Sequence, residues 1–236
     1  MQKNWLAFAG AVTAAAMFIV TAQAQQKPSL PVQIPNPGVP EAMTIEGKFV
    51  RAAYNNEGYA IIGYQVANRS IGEEYMMIDL GTTVRSGVKP YKLTRDKLEV
   101  TLPDGKNVPL LTQEEYRAVN LSAIEARAKV QRDSINYFPP EAHEACRIGF
   151  FAQPNSPAMS WTEVELSSRR GCVGRLFFKI PGGIKHGQYF LNIKFEQSLI
   201  RVPFRILTEE EEKFLSKNYK AIDKQVEEAF KPKKKN

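Results

Sequence analysis

Only two histidines, His143 and His186, occur in the 236 residues. Proton transfer near neutral pH therefore has few side chains to use. Ser134, Ser156 and Ser160 offer hydroxyls, but no Gly-x-Ser-x-Gly elbow, phosphate-binding Walker loop or His-Glu-x-x-His is present. A serine nucleophile would need its histidine and acid brought to it by the fold. Glu141, His143, Glu144 and Cys146 gather four ligand-type residues within six positions. Zinc or copper could use His143 with a thiolate. The spacing fits no recognised ligand pattern, so a solvated loop entering a strand is expected. Glu163 and Glu165 share one strand face, roughly 7 Å apart. Glycosidase carboxylates can lie at such a distance, yet two glutamates on an exposed strand face are also ordinary. No catalytic residue, metal site or cofactor is expected.

The two cysteines, Cys146 and Cys172, read as a disulfide if the chain is exported. Each adjoins a predicted strand, so the bond would tie two strands. It would close a loop of about 25 residues, worth about 3 kcal/mol in the chain-entropy view. Free thiols or metal ligands are the alternatives. Export is itself an expectation from residues 1–24: Lys3, an apolar stretch from Leu6 to Val20, then Ala22-Gln23-Ala24 as a small-residue cleavage site near Ala24. An uncleaved anchor is the alternative, although the apolar run is short for a span. The predicted location is periplasmic or extracellular. Loss of Lys3 takes the formal charge from +7 to +6, which bears on anionic partners in general. Nucleic acid is not among them for an exported chain.

Charge concentrates beside one set of predicted strands. From Cys172 to Ile206, Leu176/Phe178/Ile180, Tyr189/Leu191/Ile193/Phe195 and Ile200/Val202/Phe204/Ile206 fall on one face, opposed by Arg175, Lys179, Asn192, Lys194, Arg201 and Arg205. Period two is the signature of a half-buried strand. Short turn-prone links predict three consecutive antiparallel strands in one sheet. Its outer face would then carry Arg175, Phe177, Lys179, Phe190, Lys194, Arg201 and Arg205. Cations attract phosphate, carboxylate or sulfate, and rings offer stacking. The competing expectation is that the last helix folds back over this face, with Glu209 to Glu212 meeting the cations.

The elements that would position this face are mostly strands. Residues 25–42 are a proline-rich spacer with Pro28, Pro31, Pro35, Pro37 and Pro40. A β domain spans 43–207: strands at 48–54 and 59–67, a longer one at 76–84, and a hairpin from Leu98 to Leu110 turning at Pro103-Asp104-Gly105-Lys106. Around residues 112–132 a helix is inserted. Thr112 and Glu115 have capping-box spacing, and Tyr116, Val119, Ala123, Ala126 and Val130 recur every three or four residues. Further strands are expected at 148–151 and 161–166, with Val164 and Leu166 inward. Residues 208–236 form a final helix, capped by Thr208 and Glu211 and striped by Leu215, Tyr219, Ile222, Val226 and Phe230, with a lysine tail. That tail is a possible peripheral contact with anionic lipid.

Around nine short strands argue for an all-β, immunoglobulin-like antiparallel sandwich with an inserted and a C-terminal α-helix. The Leu98–Leu110 hairpin and the run from Val173 to Gly183, followed by Tyr189 to Phe195, resemble exported telokin-like, immunoglobulin-like domains of unknown function. The resemblance covers the β portion, and the helical insertion departs from it. It implies a fold and an exported location, and it brings no catalytic residues. The expected function is a non-catalytic accessory or interaction module of the cell envelope, binding a protein or an anionic surface component. An envelope hydrolase or metal-dependent enzyme, and a structural subunit of an envelope assembly, are the alternatives.

Overall fold

A computed structural model describes residues 42–131, 133–152 and 159–230. The expected signal segment, all of the proline-rich spacer before Ala42, Ser156 and the lysine tail lie outside the described residues. The chain is mostly β. Strands β1 (Ala42–Gly47), β2 (Val50–Tyr54), β3 (Gly58–Gly63), β4 (Tyr75–Val84), β8 (Glu144–Ile148) and β10 (Arg170–Lys179) form one six-stranded sheet, ordered β1-β2-β3-β4-β10-β8. Strands β6 (Leu98–Thr101), β7 (Asn107–Pro109), β11 (Gly187–Lys194) and β12 (Leu199–Ile206) form a second, ordered β12-β11-β6-β7. A small ribbon pairs β5 (Tyr91–Thr94) with β9 (Glu163–Leu166). Pairing is antiparallel except between β8 and β10.

The two larger sheets face one another across a single apolar core, the arrangement of a β-sandwich. Ile62, Ile78, Leu80, Leu176 and Phe178 enter it from the first sheet; Val100, Tyr189, Leu191, Ile193, Val202 and Phe204 enter from the second. Leu93, Val164 and Leu166 bring the ribbon into the same core. The inward positions that alternation predicts in β4, β6, β9, β10, β11 and β12 are buried, although outward Met77 and Phe177 are buried too.

Alternation does not predict how these strands group. β10 lies beside β4 in the first sheet, whereas β11 and β12 belong to the second, so the three strands do not share one sheet. The link after β10 carries the chain across the sandwich instead of turning it back. Gly182 and Gly183 take φ +75° and +78°, which glycine tolerates without steric cost. The link is tied to the β3–β4 connection: Gly72 N–H donates to Ile184 O at 2.8 Å, and Ile184 N–H to Glu73 O at 2.9 Å. A Cβ on Gly183 would lie 2.6 Å from Gly72 O.

The outer face of the six-stranded sheet is covered as well. The insertion is two helices, α2 (Gln113–Ala118) and α3 (Ser122–Val130), not one, since Val119 is extended. Tyr116, Leu121, Ile124 and Ala128 cover Met77 and Phe177. Ile135, Tyr137 and Phe138 then run as a strap over Val50, Ala52 and Ile61. Both predicted capping boxes are closed in both directions, at Thr112/Glu115 and at Thr208/Glu211. The expected strand at 48–54 begins only at Val50, with β1 preceding it. The one at 59–67 stops at Gly63 and gives way to the single-turn α1 (Gln65–Asn68).

The final helix, α4 (Glu209–Phe230), does not lie across the second sheet. It runs against β1, and Leu215 and Ile222 join the core with Ile45 and Phe49. β12 stands opposite β2 and β3, so β1 overhangs the narrower sheet and α4 fills the space beneath it. Tyr219 donates its hydroxyl to Ile45 O at 2.5 Å. Cys146 and Cys172 form the disulfide. They sit directly opposite each other in the parallel pair β8–β10, with Cα atoms 4.1 Å apart. Such a bond is compatible with an oxidising, exported environment. No helix among the described residues is long and apolar enough to cross a membrane.

Candidate functional site

The separation of β10 from β11 and β12 divides the predicted basic face. Arg175, Phe177 and Lys179 belong to the six-stranded sheet. Arg175 approaches Asp79, its cross-strand neighbour, at 3.6 Å. Phe177 is 2% exposed, in an aromatic cluster with Tyr116 and Phe151 at 5.0 and 5.3 Å. Lys179 alone of the three is exposed. Phe177 therefore serves packing, contrary to expectation, because α2 covers the side on which alternation places it.

Phe190, Lys194, Arg201 and Arg205 do lie on one surface, the outer side of the four-stranded sheet. Register places Asn192 between Arg201 on β12 and Glu99 on β6, and Phe190 between Pro203 and Thr101. Asn107 on β7 completes the row through Thr101. Asn192 donates from Nδ2 to Thr101 Oγ1 at 2.8 Å and, more weakly, to Glu99 Oε1 at 3.4 Å. Thr101 donates to Asn107 Oδ1 at 2.7 Å, and Asn107 Nδ2 donates to Glu99 Oε1 at 3.1 Å. Glu99 also meets Lys194 at 3.5 Å. One carboxylate thus gathers two amides and an ammonium, and the amides and hydroxyl are fixed for directional hydrogen bonding.

Arg201 is the centre of this surface. Its guanidinium carbon stands 4.1 Å from the centroid of the Phe190 ring, well within cation–π range. Arg201 Nε is buried and has no hydrogen-bond partner among the described residues; Asn192 Oδ1, on the directly opposed residue, is in the same condition. Asn192 is only 4% exposed. A buried donor and a buried acceptor on facing residues are costly to leave unmade.

Arg205 is engaged elsewhere. Its Nε and Nη2 both donate to Glu211 Oε1, at 2.9 and 2.6 Å. Burial alone would raise the Glu211 carboxyl, but hydrogen bonds from Arg205 and from the Thr208 backbone outweigh it and hold the group below its ordinary value. The expected meeting of helix acids with sheet cations is therefore confined to this one pair. Glu212 turns to Lys48 and Arg69.

The remaining candidates do not converge. His143 is exposed, with Nδ1 2.8 Å from Glu141 O. Glu144 pairs with Arg169 at 3.1 Å, and Cys146 is in the disulfide. No group of three or more possible ligands occurs among the described residues. Glu163 pairs with Lys92 at 2.7 Å and Glu165 with Arg170 at 3.7 Å. Ser134 and His186 are exposed at separate places. Glu99, Thr101, Asn107 and Asn192 are the site residues missed from sequence. Alternation marks Glu99, Thr101 and Asn192 as outward, but only sheet order sets them beside Phe190 and Arg201. Comparison of the chain with protein-family models, curated proteins and solved structures found no match.

Proposed function

We propose that this chain is an exported, non-catalytic interaction module of the cell envelope. It holds a protein or anionic surface component on the outer side of β12-β11-β6-β7. The observation that carries the reading is the Arg201–Phe190 stack, a guanidinium and a ring held together on the outer side of the sheet. A partner offering a carboxylate or phosphate would accept hydrogen bonds from the Arg201 guanidinium while covering the ring. Lys194 and Arg205 already have carboxylate partners. Recognition therefore rests on directional bonds and stacking more than on net charge. The two-sheet antiparallel architecture and the β6–β7 hairpin also support an immunoglobulin-like assignment, and the disulfide supports export.

The test is a pull-down from the native envelope fraction with the chain beginning at Gln25, beside K194S/R201S and K179S variants. Loss of a partner in K194S/R201S, with its thermal midpoint and the K179S capture unchanged, supports the reading. Equal capture by all three proteins removes this face from consideration.

A further inference from the structure

The side of α4 away from the core carries a different feature. Lys213, Lys217, Lys220 and Lys224 follow at intervals of four, three and four residues, so they stand on one ridge about 16 Å long. They lie opposite the stripe of Leu215 and Ile222 that enters the core. All four are exposed. Glu211 and Glu212 make ion pairs with Arg205, Lys48 and Arg69; the four lysines make none among the described residues. Exposed Glu209 and Glu210 precede the ridge and exposed Glu228 follows it, and half-buried Asp223 is the one acid between Lys213 and Lys224, which leaves the middle three turns net basic. At the start of the ridge, Lys213 and Lys217 border a groove of about 610 Å³ whose other wall holds Lys48 and Arg69, with Glu209 and Glu212 between them.

We propose that this ridge and groove form an electrostatic docking face for an anionic phospholipid bilayer, with Lys213, Lys217, Lys220 and Lys224 taking lipid phosphates. A row of lysines along one side of a helix suits a plane. The apolar stripe of α4 is already buried in the sandwich, so the helix rests on headgroups and does not insert among acyl chains. Phe214, 38% exposed, flanks the ridge and is the one exposed large apolar side chain of α4 among the described residues. Beyond Phe230 the sequence continues with Lys231, Lys233, Lys234 and Lys235. This surface is separate from the outer sheet face and does not depend on the reading given for it.

The experiment is vesicle flotation of the chain beginning at Gln25. Phosphatidylcholine vesicles are compared with vesicles that also contain phosphatidylglycerol, at low salt and at about 0.5 M, where screening is short-ranged. Binding is expected only with the anionic lipid and is lost at high salt. Each lysine near such a surface is worth about fivefold in partition. K213Q/K217Q should therefore lower partition by roughly 10- to 30-fold, and K220Q/K224Q likewise. The circular-dichroism spectrum and thermal midpoint should hold, since all four side chains are exposed. Wild-type partition by the quadruple variant, or loss only on changing the four tail lysines, overturns the ridge assignment. Retention on a soluble anionic polysaccharide without vesicle binding overturns the lipid assignment. R201S should partition as wild type, which keeps this test apart from that of the sheet face.

Discussion

Phe177 and Phe190 illustrate how far one side chain's sequence context can carry. Each sits among cations at the outward phase of an alternating strand. Phe177 is nonetheless 2% exposed beneath α2, while Phe190 is half-buried under the Arg201 guanidinium. The energetic consequence differs accordingly. Phe177→Ala empties a packed aromatic cluster and should cost about 3–5 kcal/mol. Phe190→Ala removes only a surface ring and should cost under about 1 kcal/mol. Denaturant unfolding of the two variants checks this, and equal losses would mean that both faces are equally covered. Arg51 makes a similar point from inside. It is 1% exposed, donates to the carbonyls of Gly47, Lys48 and Val50, and stands 5.2 Å from the Tyr64 ring. Nothing in its local sequence separates it from a solvent-facing arginine.

At the scale of elements, α4 is fixed by its first turn as well as by its stripe. Thr208 and Glu211 close the capping box, and Glu211 and Glu212 reach Arg205, Lys48 and Arg69. Thr208→Ala should lower stability by about 1 kcal/mol. Both carboxyls are raised by burial but lowered more by their hydrogen bonds, so they lie below their ordinary values. Groups depressed in this way favour the folded state above their unfolded pKa, and that contribution is lost as pH falls through the folded values. The urea midpoint should therefore drop on acidification below about pH 4.5, and Glu212→Gln should show a smaller drop. An identical pH profile in the variant would show that Glu212 does not contribute. The strap has its own test. Gly81 lies under Phe138, whose ring a Cβ would meet at 2.9 Å. Gly81→Ala should destabilise by about 1–3 kcal/mol through overpacking, and Phe138→Leu in the same chain should recover part of the loss.

The whole molecule is a two-sheet sandwich whose larger sheet is covered on both faces and whose smaller sheet keeps a polar outer side. The disulfide joins adjacent strands of one sheet at its β8 edge and closes a separation of 26 residues. Its removal in C146S/C172S should cost about 3 kcal/mol by freeing the unfolded chain. The denaturation midpoint of the wild type under reducing conditions should approach that of the variant. β8 is held by only five register pairs to β10, so hydrogen exchange should rise there before it rises in β4.

Residue order alone determined the strand-rich class, the inward positions of β4, β6, β10, β11 and β12, both helix caps and the cysteine pair. Each is written in local periodicity, in side-chain chemistry a few residues apart or, for the cysteines, in there being only two. The partner of each strand is not local. Whether the chain after Lys179 turns back or crosses depends on Gly72, Glu73 and Ile184 meeting over more than a hundred residues. That crossing split seven predicted site residues between two sheets, and the helical insertion buried Phe177. The crossing also brought Glu99, Thr101 and Asn107 beside Asn192 and Arg201. Long-range pairing, governed by how two apolar faces fit together, set the position of α4 under β1 and left its lysine ridge outward.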